Sequence, residues 1–360
     1  MRKSRWRVLA PILAIWLLWP GSLARGQVAG PVRGIPKASS QEIAAVCRAI
    51  DWLHAQQLPD GGFGQHLAGG AYRSTPGATA DVVYVLALLG EQPAGPRWSV
   101  DGHSSLDALA KLVPGYVNTD AGQAGKVASA VALSGLNPRS FAGIDLVKII
   151  QDSYDPTTGR YHPLYEFRHT LAIEGLLRSG VQVPPAALEA LFRAQLPDGG
   201  WFWSFDGKQS DVDTTGRVLQ VLAGIAGQQN AAAYARAADF LAGTQLADGG
   251  WNIGYQDGAA NANSTAMAVG GLLAAGFDPQ SARFRRSIPN SANVGGGTDR
   301  DALDALLGFQ EWSGAFAYIR QPGQEEVRLL ATTDALSALA PHVAGQLQCQ
   351  RSGLSLFFWK

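Results

Sequence analysis

Two carboxylates stand two residues apart in Ser210-Asp211-Val212-Asp213-Thr214-Thr215-Gly216, where the pattern predicts the start of a helix. Close carboxyls cannot both ionise cheaply, so a buried pair holds a proton that a lone surface carboxylate would release. A carboxylic acid kept neutral beside a ligand is a general acid. Asp213 is the candidate donor, with Asp211 and Thr214 as its neighbours. The run Trp201-Phe202-Trp203-Ser204-Phe205 lies just upstream, and its aromatic faces would stabilise a cation made by such a proton transfer. The competing reading is structural. Asp near a helix start satisfies orphan amides and suits the helix dipole. The stretches Thr75–Thr79, Asn261–Thr265 and Thr332-Thr333 are just as rich in capping residues. On the sequence alone both readings stay open.

The elements that must position these residues are helices in a repeating pair. Arg236–Gly276 holds the clearest copy: a helix with Phe240 and Leu241 running to Gln245, the turn Asp248-Gly249-Gly250-Trp251, a polar loop, and a second helix from Ser264-Thr265 to Gly276. The first helix and turn recur at Arg48–Phe63 and Leu191–Trp201, and more weakly at Leu306–Phe316. The second helix recurs at Thr79–Gly90, Ala124–Gly135 and His169–Gly180, with Thr215–Leu222 and Thr333–Leu339 completing six units. The second helices are nearly all apolar or small, which predicts burial on every side, whereas the first helices are amphipathic. Such units cannot bury their faces alone. The expected architecture is an all-α, (α/α)6 toroid, a single domain with six inner and six outer helices. Its expected limits are 40–345, after a signal peptide at 1–26 and a linker at 27–39, with a C-terminal tail at 346–360.

The residues Arg236-Ala237, Phe240-Leu241, Gln245 and Gly249-Gly250-Trp251, and Arg48-Ala49, Trp52-Leu53, Gln57 and Gly61-Gly62-Phe63, resemble the QW motif of the squalene cyclase and prenyltransferase repeat. The resemblance covers roughly residues 40–342. It implies the terpenoid-cyclase toroid, a fold shared by proteins with unrelated activities, so it speaks for architecture more than for function. Class II terpene cyclases of this kind carry a DxDD motif whose middle Asp is the proton donor. Asp213 matches that donor and Asp211 the first Asp, but Thr214 stands where the final Asp belongs. The triterpene and diterpene cyclases also use a second helical domain, and they act on the cytosolic side.

Three function classes follow. One is a binding ring for an apolar or amphipathic small molecule. Tyr72, Tyr161, Trp203, Tyr255 and Tyr318 fall in or beside the loops before inner helices and, with Trp201 and Phe205, form the candidate ligand surface. The next is class II cyclase chemistry with Asp213 as acid. The third is a structural or cobalamin-carrier-like module, although no β-rich domain follows residue 345. A zinc prenyltransferase is excluded, because Cys47 and Cys349 fall outside the inner helices and the six His lack ligand spacing. A thioester protein is excluded because Gly-Cys-Gly-Glu-Gln does not occur. No metal or other cofactor is expected.

The N-terminus reads as an export signal: Arg2, Lys3, Arg5 and Arg7, then the apolar run Val8–Trp19, a break at Pro20-Gly21 and small residues before Gly26. The alternative is an uncleaved anchor, which would place the protein at a membrane surface. Residues 1–26 hold five basic and no acidic groups, so removal takes the 29 basic and 29 acidic residues to a net charge of about −5. A mildly acidic mature chain has no electrostatic reason to bind nucleic acid. The expected partner is a hydrophobic or isoprenoid-like small molecule, and the expected state a monomer. In an oxidising compartment Cys47 and Cys349 either pair and staple the ring's seam or remain two buried thiols.

Overall fold

The computed structural model describes residues 37–66, 72–118, 120–225, 230–256, 258–287, 299–319 and 328–349. The expected signal peptide and most of the expected linker and tail lie outside them. Six helical hairpins follow one another: α1 (Ser40–Ala55) and α2 (Pro76–Leu88), α3 (Ser105–Leu112) and α4 (Ala121–Leu133), α5 (Leu146–Asp152) and α6 (Glu166–Arg178), α7 (Pro185–Ala194) and α8 (Val212–Ala223), α9 (Ala231–Thr244) and α10 (Ala262–Ala274), α11 (Ala302–Leu307) and α12 (Arg328–Val343). The even-numbered helices pack side by side in order, and α12 returns to α2. The result is a closed α/α toroid with an inner and an outer layer. Among the described residues three two-stranded ribbons decorate the loops. Among the described residues no helix is long and apolar enough to cross a membrane.

Glycine sets the inner spacing at two contacts. A Cβ on Gly175 of α6 would lie 2.5 Å from the Gly125 Cα of α4, and one on Gly271 of α10 would lie 2.7 Å from the Gly216 Cα of α8. Those helices therefore touch backbone to backbone. The inner helices are not buried all round, as their composition predicts. Each has a face on a central funnel, where Asp81, Lys126, Glu174, Asp213, Arg217 and Asp334 stand.

The repeated turn locks four of the outer helices, α1, α7, α9 and α11, to the next unit. Gln57, Gln195, Gln245 and Gln310 each donate from Nε2 to the carbonyl of Gly61, Gly199, Gly249 and Gly314, and to a second carbonyl, of Trp98, Ala233, Phe284 and Ala45 respectively, at 2.7–3.0 Å. The fourth joint links the last hairpin to the first. The following aromatics Phe63, Trp201, Trp251 and Phe316 are fully buried. Their backbone N–H groups donate to the Thr79, Thr215, Thr265 and Thr332 hydroxyls of the inner helices. Thr215 and Thr265 are thus latches for the turn rather than the caps that sequence suggests. The caps of α8 and α10 are Asp211 and Asn261. Cys47 of α1 is disulfide-bonded to Cys349, with 5.4 Å between the Cα atoms, which stitches the C-terminal segment to the first helix.

Candidate functional site

Thr79, Ala124, His169, Thr215, Thr265 and Thr332 hold equivalent positions on the inner helices, and three offsets from that position supply most of the central lining. Two residues before it stand Gly77, Gly122, Phe167, Asp213, Asn263 and Leu330. Two residues after it stand Asp81, Lys126, Leu171, Arg217, Met267 and Asp334. Five after it stand Tyr84, Ser129, Glu174, Gln220, Gly270 and Ser337. Every member of the middle level lines a cavity of about 690 Å³, joined by Phe167, Asp213, Asn263 and Leu330 above and Tyr84, Glu174, Gln220 and Ser337 below. Asn252, Ile253, Gln256, Tyr318 and Ile319 of the loops complete its mouth.

The two adjacent Asp of α8 separate in role. Asp211 is the N-cap. Its Oδ1 accepts the Thr214 N–H at 2.6 Å and its Oδ2 has no partner within the protein. Burial raises its pKa to about 7, with the neighbouring Asp213 charge adding to the rise and the cap bonds opposing it. Asp213, one half-turn on, faces the cavity. Burial raises this carboxyl too, against a hydrogen bond from the Ser264 hydroxyl, and its Oδ1 has no partner within the protein. The structure shows the capping reading in Asp211 and brings Asp213 to the cavity. Thr214 is buried, supplies the capped N–H and does not reach the cavity.

Asp334 of α12 is a second acid on the same wall. Asn263 donates to it, so consecutive residues of α10, Asn263 and Ser264, each hold a carboxyl from a flanking inner helix. Burial raises Asp334 to about 7, with Asp81 and Asp213 adding to the rise against Asn263 and Lys126. Among the described residues, the basic groups on the lining are paired. Lys126 Nζ lies 2.8 Å from Asp81 Oδ1. Arg217 pairs with Glu174, which also accepts the Tyr84 hydroxyl at 2.6 Å and lies 3.6 Å from Arg178 Nε. Burial works against the Glu174 carboxylate, but Arg217 and Arg178 hold its pKa at about 2. Glu166, at the start of α6, is buried away from the cavity, and burial, then Asp211, raise it well above the usual range.

Of the aromatic candidates, Tyr318 alone lines the cavity. Trp201 is fully buried, its indole N–H bonded to the Leu191 carbonyl. Tyr161 is buried between Tyr154 and His169. Phe205 meets the His169 edge, with the Arg160 guanidinium 3.9 Å above its ring. Trp203 and Tyr72 are more than one-third exposed, on loop and ribbon. Tyr255 borders a separate shallow groove with Phe240. All seven precede inner helices, as predicted, but the six other than Tyr318 do not line the cavity. The residues that do face the funnel, Asp334, Asp81, Lys126, Arg217 and Glu174, were not singled out from sequence. Their signal was available as fixed offsets from the glycine-anchored register of the inner helices. Among the described residues no cluster of three or more His, Cys, Asp or Glu could hold a metal.

No family model and no curated protein matches this sequence. Solved structures do match in fold. The type II terpene cyclase MstE from Scytonema superposes with a TM-score of 0.54 at 15% identity, over 84% of this chain and 98% of that one. A protein from Actinoplanes gives 0.55 at 19% identity, over 84% and 99%. A glycosidase solved in complex with glucose gives 0.50 at 16% identity, over 85% and 99%. The class that fold and comparisons define is the terpenoid-cyclase type of α/α toroid. Identities this low carry architecture and nothing about chemistry.

Proposed function

We propose that the central funnel binds an amphipathic small molecule and that the protein works outside the cytoplasm. The observation that carries the binding reading is the 690 Å³ cavity, lined on one side by Phe167, Leu171, Ile253 and Met267 and on others by Gln220, Asn252, Asn263 and Ser337. A preformed concave site with mixed lining is the usual form of a small-molecule site. Export is supported by the basic and apolar N-terminal residues and by the Cys47–Cys349 bridge. The test is a cavity-filling substitution. Met267→Trp is expected to abolish co-purification of a small molecule detected by native mass spectrometry, with the melting transition still cooperative. Unchanged ligand in that variant removes the funnel as the site.

A second reading is favoured by Asp213. A carboxyl whose hold on its proton is strengthened by burial, on a residue that lines the cavity, supports protonation of an alkene of the bound molecule. MstE, with the same fold, has been solved with geranylgeranyl dihydroxybenzoate as substrate. Against this reading stand Thr214 in place of a third Asp and the absence of Trp201, Trp203 and Phe205 from the funnel wall. Asp213→Asn is expected to abolish conversion of a bound isoprenoid while leaving its binding intact. Conversion that survives the substitution rules out this acid.

A further inference from the structure

At the lower end of the cavity a bar crosses the ring. Tyr84 of α2 donates from its hydroxyl to Glu174 Oε1 of α6 at 2.6 Å. These helices are not neighbours, because α4 packs between them. The phenol therefore reaches past the face of α4, where Ser129 stands at the same offset as Tyr84 and leaves the path open. Arg217 of α8 pairs with the second Glu174 oxygen, and Arg178 Nε lies 3.6 Å from the first. One carboxylate thus ties α2, α6 and α8 together below the cavity.

The lining ends at this bar. One turn further along the inner helices stand Leu88, Leu133, Arg178, Gly224, Ala274 and Pro341, and none of them lines the cavity. Tyr84 does line it and is half-buried, so its ring meets what fills the space. The ring is held in place, because a hydrogen bond to a carboxylate is stronger than one between neutral groups. Burial, then the Glu174 charge, raise the phenol to about 12, so it stays a donor. From the offset of Asp213 to that of Tyr84 the helices rise about 10 Å at 1.5 Å per residue. Over so short a depth the place of one ring decides how much of a chain leaves water, and a methylene that finds no room adds nothing to binding.

We infer that Tyr84 sets the length of molecule the funnel takes: its ring, held by Glu174, stops a chain that enters from the loop end. This rests on the funnel being the ligand site, and it does not require proton transfer from Asp213. The full chain is loaded with N-phenyl-1-naphthylamine, a neutral fluorescent reporter, which is then displaced with 1-octanol, 1-dodecanol and 1-hexadecanol. Wild-type affinity is expected to rise from 1-octanol to 1-dodecanol and to stop rising at 1-hexadecanol. In Tyr84→Ala the rise is expected to continue. Each methylene newly taken from water tightens binding severalfold, so 1-hexadecanol should gain about tenfold over the wild type while 1-octanol changes by less than about threefold. Tyr84→Phe keeps the ring and is expected to keep the wild-type limit. Met267→Trp fills the funnel and should abolish displacement. A Tyr84→Ala profile like that of the wild type, with Met267→Trp still blocking, overturns the inference and leaves the funnel as the site. A Tyr84→Phe profile like that of Tyr84→Ala overturns it as well. Displacement that survives Met267→Trp, or a wild type that binds neither reporter nor alcohol, overturns both the inference and the site. If Tyr84→Ala fails to fold, the wild-type profile decides, since affinity that keeps climbing through 1-hexadecanol leaves no stop to explain.

Discussion

A carboxyl buried without a cation becomes a pH sensor for the whole fold. Asp334 and Asp211 both have folded pKa values near 7, above the roughly 3.9 of an unfolded Asp. The folded state then holds protons that the unfolded state has lost. Their contribution to stability is fully present below about pH 4 and is lost as the pH rises through 7. Glu174 has the opposite sign. Its pKa near 2 contributes stability above its ordinary range, and that contribution fades as the pH falls below about 4.5. The melting temperature is therefore expected to peak near pH 4.5–5.5 and to decline toward pH 8. Asp334→Asn should flatten that decline, so that the variant outlasts the wild type at pH 8 but not at pH 4.5. Circular dichroism melts across this range check it, and a flat or rising profile would contradict the burial assigned to these groups.

The outer helices and their turns are held by a few fully buried groups, and their energetic weight differs sharply from that of similar side chains outside the joints. Trp251 is fully buried, donates from its indole to the Leu241 carbonyl and receives its backbone anchor from Thr265. Trp251→Ala is expected to cost about 3–5 kcal/mol, the range for a large aromatic removed from a core. Trp312 is 96% exposed, and Trp312→Ala should stay within about 0.5 kcal/mol. Urea unfolding of the two variants measures both values. A small cost at Trp251 would mean that the turn is held by the Gln245 bonds without it. This level of the structure was legible in the sequence, because Gln, Gly-Gly and the aromatic each serve a local geometry that recurs with the repeat. The funnel lining was less legible. Proximity in sequence suggested Trp201, Trp203 and Phe205 as neighbours of Asp213, but they lie in the loop before α8, and that hairpin lines the cavity through Asp213, Arg217 and Gln220 of the helix itself. The aromatics before α8 end in the joint because their N–H groups and rings are already engaged there.

At the scale of the whole ring, the question is what keeps the last hairpin on the first. The seam has the joint found after α1, α7 and α9: Gln310 donates to the carbonyls of Ala45 and Gly314, and Arg48 donates to Gln310 as Arg236 does to Gln195. No covalent connection crosses it except the disulfide between Cys47 and Cys349, 302 residues apart. Every other joint is crossed by the chain itself, so a hairpin that loosens there remains tethered, while a broken seam lets the ring open. In the chain-entropy model a bridge closing so long a loop adds up to about 5 kcal/mol, mainly by restricting the unfolded chain. Cys47→Ser with Cys349→Ser is therefore expected to lower the melting temperature by several degrees and to increase amide exchange first in α1 and α12, with exchange in α6 and α8 changing least. Hydrogen exchange resolved by peptide, with the wild type under non-reducing conditions as reference, gives the answer. Equal loosening in all six hairpins would show that the ring melts as one unit and that its seam is no weaker than any other joint.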